Sequence, residues 1–257
     1  IQDYNLSVSG SGKKSNYLIS LGYMGNDGIV KNNDYSRTSG RINLDQTFSK
    51  YFKGGITVSY SHIKSNDVPI SGKSGSTTLF MAARKYDPTI PIRDENGNYA
   101  LGRIYGLAQN PASILDATML TKKDNLLTSA FLDIMPVKGL VVKTTVGYDR
   151  KFASTGAYFP MTTQEGINAN GGIAKINENN LSNYYINTTA TYNKTFANDH
   201  ALTLMAGWEY QKVVSESLSG ENRGFPYDGV KWHNLDLGTY EKPIASSSKT
   251  TDQNASF

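Results

Sequence analysis

The chain has 257 residues, a formal net charge of +4 and no cysteine. The lack of cysteine excludes disulfides, thiolate metal ligands and a cysteine nucleophile. Lysine and arginine are scattered along the chain, so the positive charge gives no indication of a nucleic-acid-binding surface. Tyrosine, glycine and small polar residues are abundant, which is typical of β-rich proteins. No apolar run approaches the ~18 residues of a transmembrane helix.

Apolar and polar residues alternate along the first four predicted strands, which cover residues 3–9, 16–24, 37–46 and 55–62. Because successive side chains of a strand point to opposite faces, each of these strands has one apolar face and one polar face. Short turns follow the first and third strands, whereas a polar loop over residues 25–35 separates the second strand from the third.

Residues 64–123 form a different kind of segment, rich in glycine, proline and asparagine, with possible short helices at 77–86 and 111–120. Structureless loops of this length are uncommon in compact domains and usually carry function. Alternation resumes at residues 125–134 and, after a tight turn, at 140–149. The middle of the chain therefore predicts a long loop followed by a second pair of strands.

Residues 183–211 carry the clearest strand pattern, two alternating runs around a turn at 197–199. Each run has about ten residues, enough to cross a hydrocarbon core as a tilted strand. Tyrosine or tryptophan ends the apolar faces, as is typical at a boundary between lipid and water. A loop over residues 150–182 precedes this hairpin. Beyond residue 217 the sequence predicts a polar loop without another strand.

About eight strands are thus joined by alternating short and long connections, the arrangement of outer-membrane barrels. An open sheet cannot remain in lipid, because each unpaired edge group costs several kcal/mol, so the strands either close or belong to a larger barrel. The alternation also fits a soluble β-sandwich. In the membrane interpretation the predicted lipid-facing residues are Tyr17, Ile19, Leu21, Tyr23, Ile56, Val58, Tyr60, Leu132, Val142, Val146, Tyr184, Ile186, Tyr192, Leu202, Leu204, Trp208 and Tyr210.

Several stretches in sequence order resemble the start of the barrel in SusC/RagA-type TonB-dependent transporters. These stretches are Y-N-L-S-V-S-G at 4–10, N-Y at 16–17, S-L-G-Y at 20–23, D-G-I-V-K-N at 27–32, R-I-N-L-D at 41–45, D-E-N-G-N-Y at 94–99 and Y-N-K-T-F at 192–196. The resemblance spans nearly the whole chain. It implies an all-β, antiparallel, up-and-down transmembrane barrel of about twenty-two strands around an N-terminal plug, of which this chain supplies part.

The resemblance also implies a function and partners. Such proteins import oligosaccharides or peptides across the outer membrane of Bacteroidota-type bacteria, with a SusD-like surface lipoprotein as a lid and energy from TonB–ExbB–ExbD through the plug. We expect residues 1–257 to be a partial barrel domain, without the plug and the remaining strands. Two alternatives stay open: a stand-alone small outer-membrane barrel with a structural or adhesive role, and a soluble carbohydrate-binding β-sandwich.

The sequence predicts no catalytic, cofactor or metal site. Gly72-Lys73-Ser74 lacks the earlier glycine of a phosphate loop, and residues 94–98 lack the required Gly and Glu of a calcium loop, which leaves an Asn-Gly turn. The three histidines, His62, His200 and His233, have no metal-ligand spacing. Pairing carboxylates such as Asp149, Glu165, Glu209 and Glu216 as a glycosidase dyad would need distances that a sequence does not give.

Two further groups of side chains are candidates for contact with a transported molecule. Among the loop aromatics, Phe159, Trp232 and Tyr240 are predicted to stack on substrate, although packing of the loops against each other explains them equally well. Phe225 and Tyr227 belong to the same group. Polar strand residues on the face opposite the lipid are expected to line the channel, namely Asn43, Asp45, Lys143, Asp149, Asn187 and Glu209.

Overall fold

The computed structural model describes residues 1–68, 78–100, 109–196 and 200–257. Nine strands form one antiparallel sheet in which every strand pairs with its neighbours in sequence. The strands are β1 (Gln2–Ser11), β2 (Ser15–Asp27), β3 (Asp34–Thr47), β4 (Phe52–Asp67), β5 (Thr118–Ile134), β6 (Leu140–Phe159), β7 (Gly172–Phe196), β8 (His200–Phe225) and β9 (Ile244–Ser256). The predicted antiparallel, up-and-down order is confirmed.

The helices are short and lie in the long connections. They are α1 (Leu79–Lys85), α2 (Pro111–Ile114), α3 (Gln164–Asn168) and two single 3-10 turns, Lys231–His233 and Leu235–Leu237. The first two were expected over 77–86 and 111–120, but α2 ends early because β5 has already begun at Thr118. No helix in the described ranges is long and apolar enough to cross a membrane.

The connections alternate in length as predicted. The short ones, residues 12–14, 48–51 and 135–139, lie at one end of the sheet, which we call the turn end. The long ones, which follow β2, β4, β6 and β8, leave the sheet at the opposite end, which we call the loop end. The predicted turn at 197–199 and the rejected phosphate-loop motif at 72–74 fall outside the described residues.

Two expectations about strand length were wrong. The loop expected over 150–182 is confined to residues 160–171, because β6 and β7 continue their pairing well past the apolar stretch. Similarly, β8 runs to Phe225, and β9 pairs with it from Glu209 to Glu221. Every residue of β9 is exposed, so hydrogen bonding of its backbone to β8 defines this strand. The apolar alternation that would have predicted β9 is therefore missing from its sequence.

The strand register divides the sheet into two chemically different faces. Residues directly opposite each other on paired strands point to the same side. Following the pairs from strand to strand places Val8, Ile19, Ile42 and Val58 on one side, and the same side continues through β5 to β8. We call it the apolar face. The opposite, polar face carries Asn43, Asp45, Lys143, Asp149, Asn187 and Glu209.

Neither face is covered by a second layer in its central part. Within the described ranges the buried apolar side chains all belong to the loop end, for example Val68, Ala82, Ile114 and Phe225. Ile186 and Val142 are half-exposed and Leu132 is exposed, and no described sheet or helix packs on them. The β-sandwich alternative is therefore wrong for the described chain, since a sandwich buries this face against a second sheet.

Candidate functional site

All seventeen residues that were predicted to face lipid lie on the apolar face. The register pairs Tyr17 with Leu44 and Val146 with Ile186, and it carries the same phase through every strand from β2 to β8. Many of these side chains are exposed, among them Leu21 at 60% and Leu204 at 56%. Soluble monomers rarely expose an apolar surface of such extent, so the face requires a covering apolar medium or partner. Contact with lipid itself stays a prediction.

Tyrosines mark the limit of the apolar face on the side of the loop end. Tyr23, Tyr60, Tyr148, Tyr184 and Tyr210 form what we call the tyrosine line. Tyr148 and Tyr184 are paired, with ring centroids 4.9 Å apart. From Tyr23 to Tyr60, from Tyr60 to Tyr148 and from Tyr184 to Tyr210, the next tyrosine lies two residues nearer the turn end than the register partner. Such a steady shift is expected when tilted strands meet a flat boundary.

A second aromatic set lies nearer the turn end, including Tyr17, Phe52 and Tyr192. The separation of Tyr184 from Tyr192 along β7 is about 26 Å at the usual rise per residue. A strand tilted by about 40° then spans a height of roughly 20 Å, close to the apolar band of a membrane barrel. The two aromatic sets and the apolar residues between them have the dimensions of a bilayer.

At the loop end, three long connections enclose a cavity of about 350 Å³. Its walls come from the β4–β5, β6–β7 and β8–β9 connections, and the lining residues are Arg93, Gly97, Asn98, Tyr99, Gln109, Asn110, Ser113, Met161, Thr162, Gln164, Ile167 and Asp228. None of these residues except those at 94–98 was singled out from the sequence. The 94–98 segment is the Asn-Gly turn that was expected, with the Asp94 carboxylate accepting from the backbone amides of Asn96 and Asn98.

Asn110 fixes the wall of the cavity. Its side-chain oxygen accepts from the backbone amide of Ala112 and caps α2, as asparagine commonly does at a helix N-terminus. Its side-chain amide donates to the backbone oxygens of Ile92 and Ala100. The residue is buried at 2% exposure, so one side chain ties together separate parts of the β4–β5 connection.

Gln109 gives the cavity an unsatisfied polar atom. The side chain is 3% exposed, and its Oε1 atom has no hydrogen-bond partner among the residues that the structure describes. Nearby, the Arg93 guanidinium stacks on the Tyr99 ring at 4.4 Å, and the Asp228 carboxylate accepts from the Tyr158 hydroxyl at 2.8 Å. A buried acceptor without a partner costs about 1–3 kcal/mol. Arg93, Gln109 and Asp228 thus place polar groups in a cavity wall that is otherwise largely apolar.

The predicted stacking aromatics do not come together. Trp232 packs against the small cluster formed by Tyr158, Ala174 and Phe225, and a Cβ atom at position 156 would overlap its indole ring. Gly156 thus permits the β8–β9 connection to lie directly on the extended apolar face. Phe159 ends β6, one residue along from Tyr158 and on the opposite face. A stacking role for any of these aromatics stays a prediction.

A bulge at the end of β8 positions this cluster. Gly172 pairs with Phe225 while Ile173 pairs with Arg223, so Gly224 is the extra residue. Gly224 has φ of +73°, a conformation that glycine adopts at little cost. Its insertion turns Phe225 onto the side of Tyr158, where the two rings meet edge to face at 5.9 Å. Tyr240 lies 48% exposed near Arg223, at the rim of the loop end.

On the polar face a charge cluster lies close to the loop end. The Glu221 carboxylate accepts from Lys175 Nζ at 2.8 Å and from Arg223 Nε at 2.7 Å. Burial alone would raise the pKa of Glu221, but the hydrogen bonds from Lys175 and Arg223 outweigh it and hold the pKa below the ordinary 4.5. The carboxylate therefore stays ionised at neutral pH and links β7 to β8.

This cluster predicts an acid-sensitive loop end. Because the folded-state pKa of Glu221 is lowered, its contribution to stability is present above about pH 4.5 and is lost as the pH falls through the lowered value. We expect amide exchange at this end of β7 and β8 to accelerate over that range. The Glu221→Gln variant should show a much smaller acid dependence. Equal acid dependence in both proteins would contradict the assignment.

Nearer the turn end, side chains of the polar face form hydrogen bonds across strands. Asn187 donates to Glu209 at 3.0 Å, and Gln211 donates to Asn183 at 3.0 Å. These bonds satisfy polar groups between β7 and β8. No cluster of His, Asp and Glu in the described part of the chain could hold a metal ion. The arrangement offers a hydrated polar wall, and the channel-lining role of its residues stays a prediction.

No family model matches the chain. The TonB-dependent receptor P3 of Formosa agariphila is 28% identical over 242 residues, which cover 93% of this chain and 24% of the receptor. The TonB-dependent receptor P26 of the same bacterium is 26% identical over 264 residues, which cover 100% of this chain and 26% of the receptor. A solved RagAB peptide transporter superposes with a TM-score of 0.77 at 21% identity, over 98% of this chain and 29% of the other.

The resemblance to TonB-dependent receptors is confirmed. The chain spans about a quarter of the length of the TonB-dependent receptors it matches. The ferripyoverdine receptor of the Pseudomonas aeruginosa outer membrane, another solved barrel, superposes with a TM-score of 0.54 at 12% identity, over 98% of this chain and 32% of the receptor. The fold is thus the barrel fold of TonB-dependent receptors. All of these relatives are named as receptors or transporters, which supports the expectation that the chain is not an enzyme.

Proposed function

We propose that this chain is part of the barrel wall of a SusC-like TonB-dependent importer in the outer membrane. The observation that carries the proposal is the single two-faced sheet, whose apolar face is uncovered and whose loop end and turn end differ as they do in membrane barrels. In this arrangement residues 1–257 belong to one barrel domain. The apolar face meets lipid, the polar face lines the lumen, and the loop end lies at the cell surface.

The same proposal includes partners and cargo. The intact protein would take up an oligosaccharide or a peptide, with a SusD-like lipoprotein over the loop end and energy from TonB–ExbB–ExbD through a plug. RagAB, whose structures superpose on this chain, is a peptide transporter, which supports the peptide as a cargo class. The cavity at the loop end supports contact with a cargo or partner at that end. Among the aromatics, the exposed Tyr240 is the best placed to stack on it.

Uptake by whole cells tests the function. We expect cells that carry the intact protein to accumulate fluorescent peptides or oligosaccharides, and cells lacking the gene, or with a collapsed proton gradient, to lose this uptake. Replacing Tyr240 and Gln109 with alanine should weaken uptake without removing the protein from the membrane. If gene deletion changes membrane integrity or adhesion and leaves uptake of both classes unchanged, the stand-alone structural barrel is the better account.

A further inference from the structure

Just beyond the tyrosine line, toward the loop end, the apolar face carries a group of basic side chains on β4, β5, β6 and β8. Lys64 lies two same-face positions beyond Tyr60, and Lys122 is its direct partner on β5. Arg150 lies one such position beyond Tyr148, and Lys212 one beyond Tyr210. We call Lys64, Lys122, Arg150 and Lys212 the basic belt.

The belt contains an unfavourable pair if nothing is bound to it. Lys64 and Lys122 are exposed and directly opposite in the β4–β5 register, where like charges destabilise a sheet. Neither lysine, nor Lys212, forms an ion pair with any residue in the described ranges. Two adjacent cations without an acidic partner favour an anion from outside the chain.

Two carboxylates near these cations are already engaged, and Asp27, Asp34 and Glu178 also lie on this side of the sheet. Asp124 accepts from the Tyr60 hydroxyl at 2.5 Å and lies 2.8 Å from His62 Nδ1. Glu216 forms an ion pair with Lys249 at 2.7 Å. Arg150 donates its Nε–H to Asn180 and is also attracted electrostatically to the Asp124 carboxylate.

A shallow depression of about 290 Å³ lies beside this arginine. It is lined by Tyr60, Asp124, Leu126, Arg150 and Phe152. Arg150 contributes a cation there, Leu126 and Phe152 contribute apolar surface, and Asp124 is already bonded to Tyr60 and His62. The depression therefore combines a positive group with an apolar wall at the edge of the apolar face.

We propose that the basic belt binds the phosphate headgroups of anionic lipids in the leaflet on the loop-end side. The inference rests on the proposed function, because it requires the apolar face to contact acyl chains. Each same-face step along a strand is about 6.6 Å, so the cations lie where phosphates follow an aromatic belt. Long basic side chains reach such headgroups while their stems cover apolar surface. The apolar face continues from these cations toward the turn end. A lipid, which carries acyl chains as well as a phosphate, therefore fits this surface better than free phosphate does.

Spin-labelled lipids test the belt on the intact protein in vesicles of phosphatidylcholine. We expect labelled phosphatidylglycerol to associate with the protein more strongly than labelled phosphatidylcholine. Each Lys64→Gln, Lys122→Gln or Arg150→Gln change should reduce the preference, by roughly five-fold per charge at low salt. Lys123→Gln and Lys151→Gln provide matched controls, because these residues adjoin Lys122 and Arg150 in sequence but lie on the polar face. They should leave the preference unchanged.

The outcomes separate this inference from the proposed function. If a motionally restricted lipid population is present but shows no preference for phosphatidylglycerol, or if the control variants reduce the preference equally, the belt is refuted and the lipid-facing assignment survives. If no restricted lipid appears at all, the lipid-facing assignment itself fails. Inorganic phosphate, compared with chloride at equal ionic strength, should not displace the lipid, and displacement would mean that the cations take free phosphate instead. Should the Arg150→Gln variant fold poorly, the comparison of Lys122→Gln with Lys123→Gln tests the same point.

Discussion

Replacing Leu204 with arginine should destabilise the protein in lipid by about 1–3 kcal/mol, between the costs at the middle and at the edge of a membrane. Leu204 lies on the apolar face, and its distance from Tyr210 along β8 is about 20 Å, which a tilted strand converts to a depth of roughly 15 Å. That depth lies inside the apolar band, roughly three-quarters of the way from the tyrosine line to the second aromatic set, where a guanidinium still loses much of its hydration. In water an exposed position of this kind would tolerate the change within about 0.5 kcal/mol. Reversible folding into lipid vesicles, followed by denaturant titration, measures the difference.

Thr191→Arg is the matched control for this change. Thr191 is on the polar face, one position along from Tyr192, which is the direct partner of Leu204. The two variants therefore add the same charge at nearly the same height on opposite sides of the sheet. We expect the Thr191 variant to fold nearly as well as the unchanged protein. Equal tolerance at the two positions would reject the assignment of the faces.

Phe225→Ala should open the loop end, with a local cost of about 3–5 kcal/mol for a fully buried phenylalanine. Phe225 is 1% exposed and meets Tyr158 edge to face. The cluster it forms also seats Trp232, Leu235 and Leu237 of the β8–β9 connection. Hydrogen exchange resolved by peptide should therefore show faster exchange across residues 226–243. The turn end has no contact with this cluster, so its protection should remain.

Tyr227→Ala serves as the control for the Phe225 change. Tyr227 is another aromatic of the same connection, but its side chain is 50% exposed. Its removal should leave the exchange of residues 226–243 close to that of the unchanged protein. Comparable acceleration in both variants would mean that the Tyr158–Phe225 contact does not hold the connection in place.

The faces and the order of the strands were predictable from the sequence because apolar alternation is strict between the aromatic sets. Ile186 and Val146, for example, were assigned to one face from sequence alone, and the register pairs them directly. The prediction failed where both faces meet polar surroundings. Apart from Ile244, β9 consists of small and polar residues, all exposed, and the loop-end parts of β7 and β8 are rich in asparagine and serine. Backbone pairing extends there without any apolar signal.

The cavity at the loop end could not be predicted. Arg93, Gln109 and Asp228 come from segments far apart in sequence, and their meeting depends on how three connections fold over the sheet end. No spacing rule links such residues. The burial of Trp232 beside Gly156 was equally unpredictable from the sequence. An aromatic residue in a loop has the same sequence pattern whether it packs against the protein or binds a substrate. The sequence supports the barrel interpretation far more strongly than any assignment of a binding residue.

Spin labels at neighbouring positions of β8 test the central claim most directly. The chain has no cysteine, so Leu204→Cys and Met205→Cys each provide a single attachment site within it. These two residues are adjacent and both exposed, but they lie on opposite faces. In lipid vesicles the label at 204 should be accessible to dissolved oxygen and shielded from a water-soluble nickel chelate, while the label at 205 should show the reverse. High accessibility to the nickel chelate at position 204 would contradict the account.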